Sequence, residues 1–162
     1  MAPLYVDADE VLSAPLYAFG GLLIALPMLD FVTSVLPVSF GSIQWRFATL
    51  GLLSNFLMTP LLGMVAMIVV AAVREHLVFQ RILAIINSLL TLLLIALLVL
   101  FVLDIVQLNA SIPPEGLKNF QNAAFKAIVK HTTTILVLAW LAAAGWRVSS
   151  WHSSRRRSAR VA

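Results

Sequence analysis

The sequence predicts an all-α integral membrane protein with four transmembrane helices and an outer amphipathic segment. Three observations support this prediction. Hydrophobic residues make up 61% of the 162 residues and charged residues only 11%, against about 45–50% and about 25% in soluble domains. Four stretches reach or approach the roughly 20 apolar residues that cross a bilayer. Acids open the chain and arginines close it, an asymmetry that is typical of membrane topology and leaves no basic face for nucleic acid.

The first predicted span covers residues 13–36 and is uncharged until Asp30. Pro15 lies near its start, where a missing N–H costs little, and Pro27 is expected to kink the helix. Gly21 and Ala25 stand four residues apart, so they share one face and allow another helix to approach closely. A signal peptide would need a positively charged N-terminal region, and the acids near the start of the chain argue against one.

The second predicted span, residues 48–73, is uncharged and interrupted by Pro60. Two arrangements remain open: one helix kinked at Pro60, or an interfacial helix over about residues 44–58 followed by a span that begins at Pro60. Thr59 and Pro60 read as an N-cap and a first-turn proline. Trp45 and Arg46 suit the headgroup level in both arrangements. We expect a kinked or broken helix rather than a straight one.

The third predicted span, residues 82–103, is rich in leucine and ends at Asp104. Pro113 and Pro114 then forbid a continuous helix. Apolar residues recur at helical spacing over residues 117–128, which indicates an amphipathic helix on the membrane or against the bundle. The fourth span, residues 127–148, presents Ala139 and Ala143 on one face, and a basic tail follows over residues 151–162.

Orientation is predicted from the positively charged residues. Four spans place both termini on one side, together with seven of the 11 Lys and Arg residues. The positive-inside rule therefore predicts cytoplasmic termini, in a bacterial inner membrane that is either cytoplasmic or intracytoplasmic. The tail arginines are expected to set this topology or to bind anionic lipid headgroups; they are Arg155, Arg156, Arg157 and Arg160.

A polar cluster is predicted at the outer ends of the spans. It consists of Asp30, Arg46, Asp104 and Lys130. Acids within a membrane often mark a proton or ion pathway. The alternative is that each acid lies among headgroups or pairs structurally with a cation, and the terminal positions of both acids favour this second interpretation.

We find no catalytic motif in the sequence. No base stands at a recognisable spacing from a serine or threonine nucleophile, no Gly-rich phosphate loop is present, and the histidines lack metal-ligand spacing. His131 is the candidate for a pigment or haem ligand, with an ordinary interfacial histidine as the alternative. The prediction is therefore no catalytic residue, no metal and no cofactor of its own, with structural lipids bound.

One stretch carries a family resemblance. It runs from Pro37 to Phe40, through Trp45-Arg46-Phe47 and Gly51, to Pro60-Leu61-Leu62-Gly63. This pattern resembles the membrane-embedded N-terminal region of cyanobacterial HpsJ-like proteins, the hormogonium polysaccharide biosynthesis family, over about the first two-thirds of the chain. The resemblance implies a membrane component of polysaccharide synthesis or secretion. The distribution of that family among phototrophs also suggests a photosynthetic host complex.

The function expected from these observations is that of a non-enzymatic accessory or structural subunit of a larger membrane complex, such as a photosynthetic or other energy-transducing assembly. Its partners would be other integral membrane subunits and anionic lipids. The first alternative is the polysaccharide role that the resemblance implies. The second alternative is a small transporter or channel that works as an oligomer.

Overall fold

Five helices form the part of the chain that the structure describes. In this computed structural model the backbone is described for residues 8–158 and the side chains for residues 13–148. The helices are α1 Ala8–Ser34, α2 Ile43–Phe56, α3 Met58–Val73, α4 Leu77–Asn109 and α5 Pro114–Ser158. Residues 8–158 contain no strand. The all-α prediction is therefore confirmed for the described residues.

Three helical segments within this part of the chain are long and apolar enough to cross a membrane: Ser13–Ser34, Leu77–Asn109 and Pro114–Val148. Helices α2 and α3 pass the same test only as a pair, and they are bent by 43° relative to each other. The count of candidate spans is thus three, or four if the bent pair is one broken span.

The break between α2 and α3 lies at Leu57, three residues before Pro60. A helical proline clashes with the carbonyl group four residues earlier, and here that residue is Phe56, the last residue of α2. Pro60 itself lies in the first turn of α3, where its missing N–H would have no partner. The prediction that Thr59 caps this helix is wrong, because Leu57 is the N-cap residue and no side chain caps the turn.

Helices α4 and α5 form the central antiparallel pair. Ala84 lies beside Gly145, and the ring of Phe101 stacks on His131. Apart from Ala142, the buried residues of α5 recur at alternating spacings of three and four from Ala124 to Gly145, which is the spacing of a coiled-coil seam. A Cβ atom on Gly145 would lie 2.9 Å from the Cβ of Ala84, so glycine permits this close approach.

Helices α1 and α3 pack through a second pair of glycines. A Cβ atom on Gly63 would lie 2.6 Å from the carbonyl oxygen of Gly20, and one on Gly20 would lie 2.6 Å from Cγ of Met67. Helix α1 is continuous through Pro15 and Pro27. This contact attaches α1 to the rest of the bundle.

Helix α5 joins two elements that the sequence analysis treated separately. The predicted amphipathic segment and the predicted fourth span are one uninterrupted helix. Phe120, in the amphipathic part, packs against Phe47 of α2 at 4.8 Å between ring centroids. The predicted amphipathic segment is therefore the first part of α5, packed against the bundle.

Candidate functional site

A bidentate ion pair joins α2 to α4. Arg46 Nη2 donates to Asp104 Oδ1 at 2.7 Å and Nε donates to Oδ2 at 3.1 Å. The remaining nitrogen, Nη1, donates to the carbonyl oxygen of Phe40 at 3.0 Å. The side chain of Asp104 is only 4% exposed, against 33% for Arg46. The guanidinium group thus neutralises a carboxylate inside the bundle while part of it stays at the surface.

The first turn of α2 holds Arg46 in place. The hydroxyl group of Ser42 accepts a hydrogen bond from the backbone N–H of Trp45 at 3.2 Å, which caps the helix. The indole N–H of Trp45 donates to the carbonyl oxygen of Val35 at 3.1 Å. Together these bonds tie the start of α2 to the segment after α1, and Arg46 follows directly in the same turn.

The other two residues of the predicted polar cluster lie apart from this ion pair. Lys130 Nζ donates to Oδ1 of Asn55 at the end of α2. Asp30 is exposed, and its backbone carbonyl accepts hydrogen bonds from the hydroxyl groups of Thr33 and Ser34 at 2.9 and 2.7 Å. The structure therefore pairs Arg46 with Asp104 and gives Lys130 an amide partner instead of an acid.

Two cavities meet at Asn55. An open cleft of about 690 Å³ between α1 and the α2–α3 bend is lined by Asp30, Asn55 and neighbouring residues. A smaller cavity of about 310 Å³ lies among α2, α4 and α5, and its lining includes Lys126 and Lys130. Sequence analysis missed Asn55 and Lys126 as site residues. The signal for Lys126 was available, because it stands four residues before Lys130 on one helix face.

His131 lies inside the α4–α5 seam rather than at an interface. Its side chain is 0% exposed, and its ring stacks on Phe101 with centroids 6.0 Å apart. Nδ1 lies 3.1 Å from the carbonyl oxygen of Ala127, and since a carbonyl oxygen only accepts, Nδ1 carries the hydrogen. Nε2 is then an acceptor, enclosed and without a hydrogen-bond partner among the described residues. A pigment or haem could reach it only if α4 and α5 separated.

Two further buried amides lie along the same seam. Gln80 and Asn87 are 1% and 0% exposed, and their oxygens Oε1 and Oδ1 have no hydrogen-bond partner in the part of the chain that the structure describes. Seven residues separate them, about 10 Å along a helix. Sequence analysis missed both, although their heptad spacing and the apolar residues between them were the available signal.

The predicted helix-packing residues face away from the bundle. Ala25, Ala139 and Ala143 are exposed, and a Cβ atom on Gly21 would meet nothing within 4 Å. The contacts inside the bundle instead use Gly20, Gly63 and Gly145, none of which belongs to the two predicted pairs. The four predicted residues therefore remain available on the outer surfaces of α1 and α5.

The basic tail lies largely outside the described residues. The backbone of α5 is helical as far as Ser158, which includes Arg155, Arg156 and Arg157, but their side chains are outside the described part, as is the whole of Arg160. Among the described residues, no three His, Asp or Glu side chains come close enough together to hold a metal ion.

Comparisons of this chain with protein-family models, with curated proteins and with solved structures give no match. The resemblance to HpsJ-like proteins therefore stays a prediction from the sequence.

Proposed function

We propose that the chain is a multi-pass protein of a bacterial inner membrane, with both termini in the cytoplasm. Its role is that of a non-enzymatic accessory subunit of a larger membrane complex. Candidate spans of high hydropathy, together with large apolar side chains exposed on α1, α4 and α5, support the membrane location. Such side chains are stable in contact with lipid or with other helices and would associate in water.

One observation carries the accessory role. The bundle closes through glycines of its own, Gly20 against Gly63 and Gly145 against Ala84. The small-residue pairs Gly21–Ala25 and Ala139–Ala143 are left over on outer surfaces. In lipid, small residues stabilise helix association because they let two backbones approach closely. Outward pairs of this kind suit a chain that docks on other transmembrane helices.

Adjacent glycines on α1 offer a matched test of this role. Gly21→Leu should leave the fold intact, because a Cβ atom at this position would meet nothing within 4 Å. It should move the protein from a high-mass fraction to a free one after mild extraction. Gly20→Leu is the control that must damage the fold, since its Cβ atom alone would meet Met67 and Gly63. An absorbance spectrum recorded during sizing would show whether the host complex carries pigment or haem, as a photosynthetic or other energy-transducing assembly would.

The accessory role would be refuted by a parent protein that migrates as a free monomer and yields no partner on crosslinking in the membrane. If the protein is a free monomer and cells that lack it are defective in polysaccharide export, the role implied by the HpsJ-like resemblance would be favoured.

A second candidate is a small transporter or channel, which the buried acceptors of Gln80, Asn87 and His131 favour. Polar side chains inside a membrane often line an ion or proton route. The spacing of about 10 Å between Gln80 and Asn87 is too long for direct proton transfer, so the accessory role is better supported. Proton uptake by vesicles that contain only this protein, lost on Asn87→Leu, would reverse this preference.

A further inference from the structure

The cavity of about 310 Å³ among α2, α4 and α5 combines two cations with an aromatic wall. Lys126 and Lys130 stand one turn apart on α5, and Asn55 of α2 lies beside them. Phe47 and Phe101 stack with ring centroids 5.1 Å apart and form the apolar part of the lining. We call this space the Lys126–Lys130 cavity.

The charge of this cavity favours an anion. Among the residues whose side chains the structure describes, no acid lines it. The carboxylate of Asp104 is bound by both Nε and Nη2 of Arg46, and Asp30 lines the separate cleft on the other side of Asn55. Neither acid is therefore in place to neutralise the two lysines. Clustered lysines at the boundary of transmembrane helices attract anionic headgroups.

The position of the cavity along the bundle favours a lipid over a soluble anion. Asp104 and Arg46 mark the outer end of the predicted third span, and Phe101 lies one turn further in on α4. His131 stacks on Phe101, so the neighbouring Lys130 lies at about the depth of this ring. Lys126 lies one turn nearer the start of α5. The two lysines and the apolar rings therefore line one cavity near the outer boundary of the bundle. A molecule that carries a phosphate beside an apolar body matches this combination.

We propose that the Lys126–Lys130 cavity binds the headgroup of an anionic phospholipid. Its phosphate group lies against the two ammonium groups and Asn55, and its glycerol region lies against Phe47 and Phe101. This site is distinct from the tail arginines, and it does not depend on the accessory role, because a free subunit would retain it.

The test measures phosphatidylglycerol bound to the full chain in nanodiscs of phosphatidylcholine. The electrostatic attraction between one lysine and an anionic headgroup strengthens lipid binding about fivefold. Lys126→Gln should therefore weaken retention about fivefold, and Lys126→Gln with Lys130→Gln should weaken it about 25-fold. Lys118→Gln is the matched control, since Lys118 is an exposed lysine of the same helix outside the cavity lining, and it should leave retention unchanged. Lys126→Gln alone keeps the bond between Lys130 and Asn55.

A steric variant separates the cavity from general charge effects. Gly51 lines the cavity, and a Cβ atom there would meet nothing within 4 Å, so Gly51→Leu fills the space without altering any charge. We expect it to reduce retention as strongly as the double lysine variant, with an unchanged thermal melt. Equal retention by the parent, the double lysine variant and Gly51→Leu would overturn the proposal. Binding of inorganic phosphate by the parent, lost in the double lysine variant, with no retention of phosphatidylglycerol would overturn it in favour of a soluble anion.

Discussion

Removing one partner of the Arg46–Asp104 ion pair should destabilise the fold, and the two partners should not be equivalent. The carboxylate of Asp104 is almost fully enclosed, at 4% exposure, whereas Arg46 is 33% exposed. Asp104→Asn therefore leaves a cation that still reaches the surface and keeps its bond to the carbonyl oxygen of Phe40. Arg46→Gln leaves an enclosed negative charge without its cation and also removes that carbonyl contact.

The magnitudes follow from this difference in exposure. An unsatisfied polar partner costs about 1–3 kcal/mol, and the partial exposure of Arg46 places Asp104→Asn in this range. Breaking a buried pair so that a charge remains uncompensated costs about 3–5 kcal/mol, which is the expectation for Arg46→Gln. The double variant should cost less than the sum of the two, because the charges act on each other. Arg155→Gln, in the predicted tail, should change stability by less than about 0.5 kcal/mol.

The measurement is thermal unfolding in a mild detergent, followed by tryptophan fluorescence, for the four variants and the parent. The expected order of stability is parent and Arg155→Gln together, then Asp104→Asn, then Arg46→Gln. Equal melting of Asp104→Asn and the parent would show that the carboxylate is merely solvated. A larger loss for Asp104→Asn than for Arg46→Gln would refute the argument from exposure.

Three further predictions concern topology and backbone geometry. In intact cells, Ser158→Cys should be protected from an impermeant thiol reagent and Ser111→Cys labelled, and the chain has no native cysteine to interfere; the opposite pattern would invert the orientation. Glu75, just after the end of α3, has a φ of 54°, a left-handed conformation that costs a non-glycine residue about 1–2 kcal/mol. Glu75→Gly removes this strain but adds the entropy cost of glycine, so it should raise stability by about 0.5–1 kcal/mol. A lower melting temperature would contradict this. Gly145→Leu should lower the melting temperature of the monomer because Ala84 occupies the space, whereas Ala143→Leu on the exposed face should not; equal losses would show that both faces are packed.

The strain at Glu75 belongs to a helix-ending motif that stabilises the turn into α4. The backbone N–H of His76 donates to the carbonyl oxygen of Ala71 at 3.0 Å, and that of Glu75 donates to Ala72 at 3.3 Å. These are the two bonds of a Schellman motif, in which glycine usually occupies the position of Glu75. The absence of glycine at this position conceals the motif in the sequence.

The helices could be predicted where the signal is local. Apolar length predicts the core of each candidate span, and Pro60 predicts an interruption close to where it occurs. The position of the break depends on the proline ring and the carbonyl of Phe56, four residues earlier. A rule that places the helix start at the proline therefore misplaces the start of α3 by two residues.

The continuity of α5 could not be predicted from composition. Residues 117–144 contain neither glycine nor proline, so the backbone has no local reason to end a helix within them. The change from amphipathic to apolar sequence marks a change of surroundings and leaves the helical conformation unaffected. Treating that change as an element boundary divided one helix into two.

The faces of α1 show why the packing residues were assigned to the wrong side of the helix. Gly20 and Gly21 are neighbours, and successive residues in a helix point about 100° apart, so only one of the two glycines can face α3. The spacing of Gly21 and Ala25 marks a smooth surface, but Gly63 of α3 decides which surface faces inward, because a Cβ atom on Gly63 would lie 2.6 Å from the carbonyl oxygen of Gly20. A Cβ atom on Gly20 would in turn lie 3.2 Å from the carbonyl oxygen of Gly63, so the close approach of these two helices favours glycine at both positions. The pattern that predicted a packing face was therefore left on the outside of the bundle, and the prediction of a docking surface on α1 rests on that exclusion.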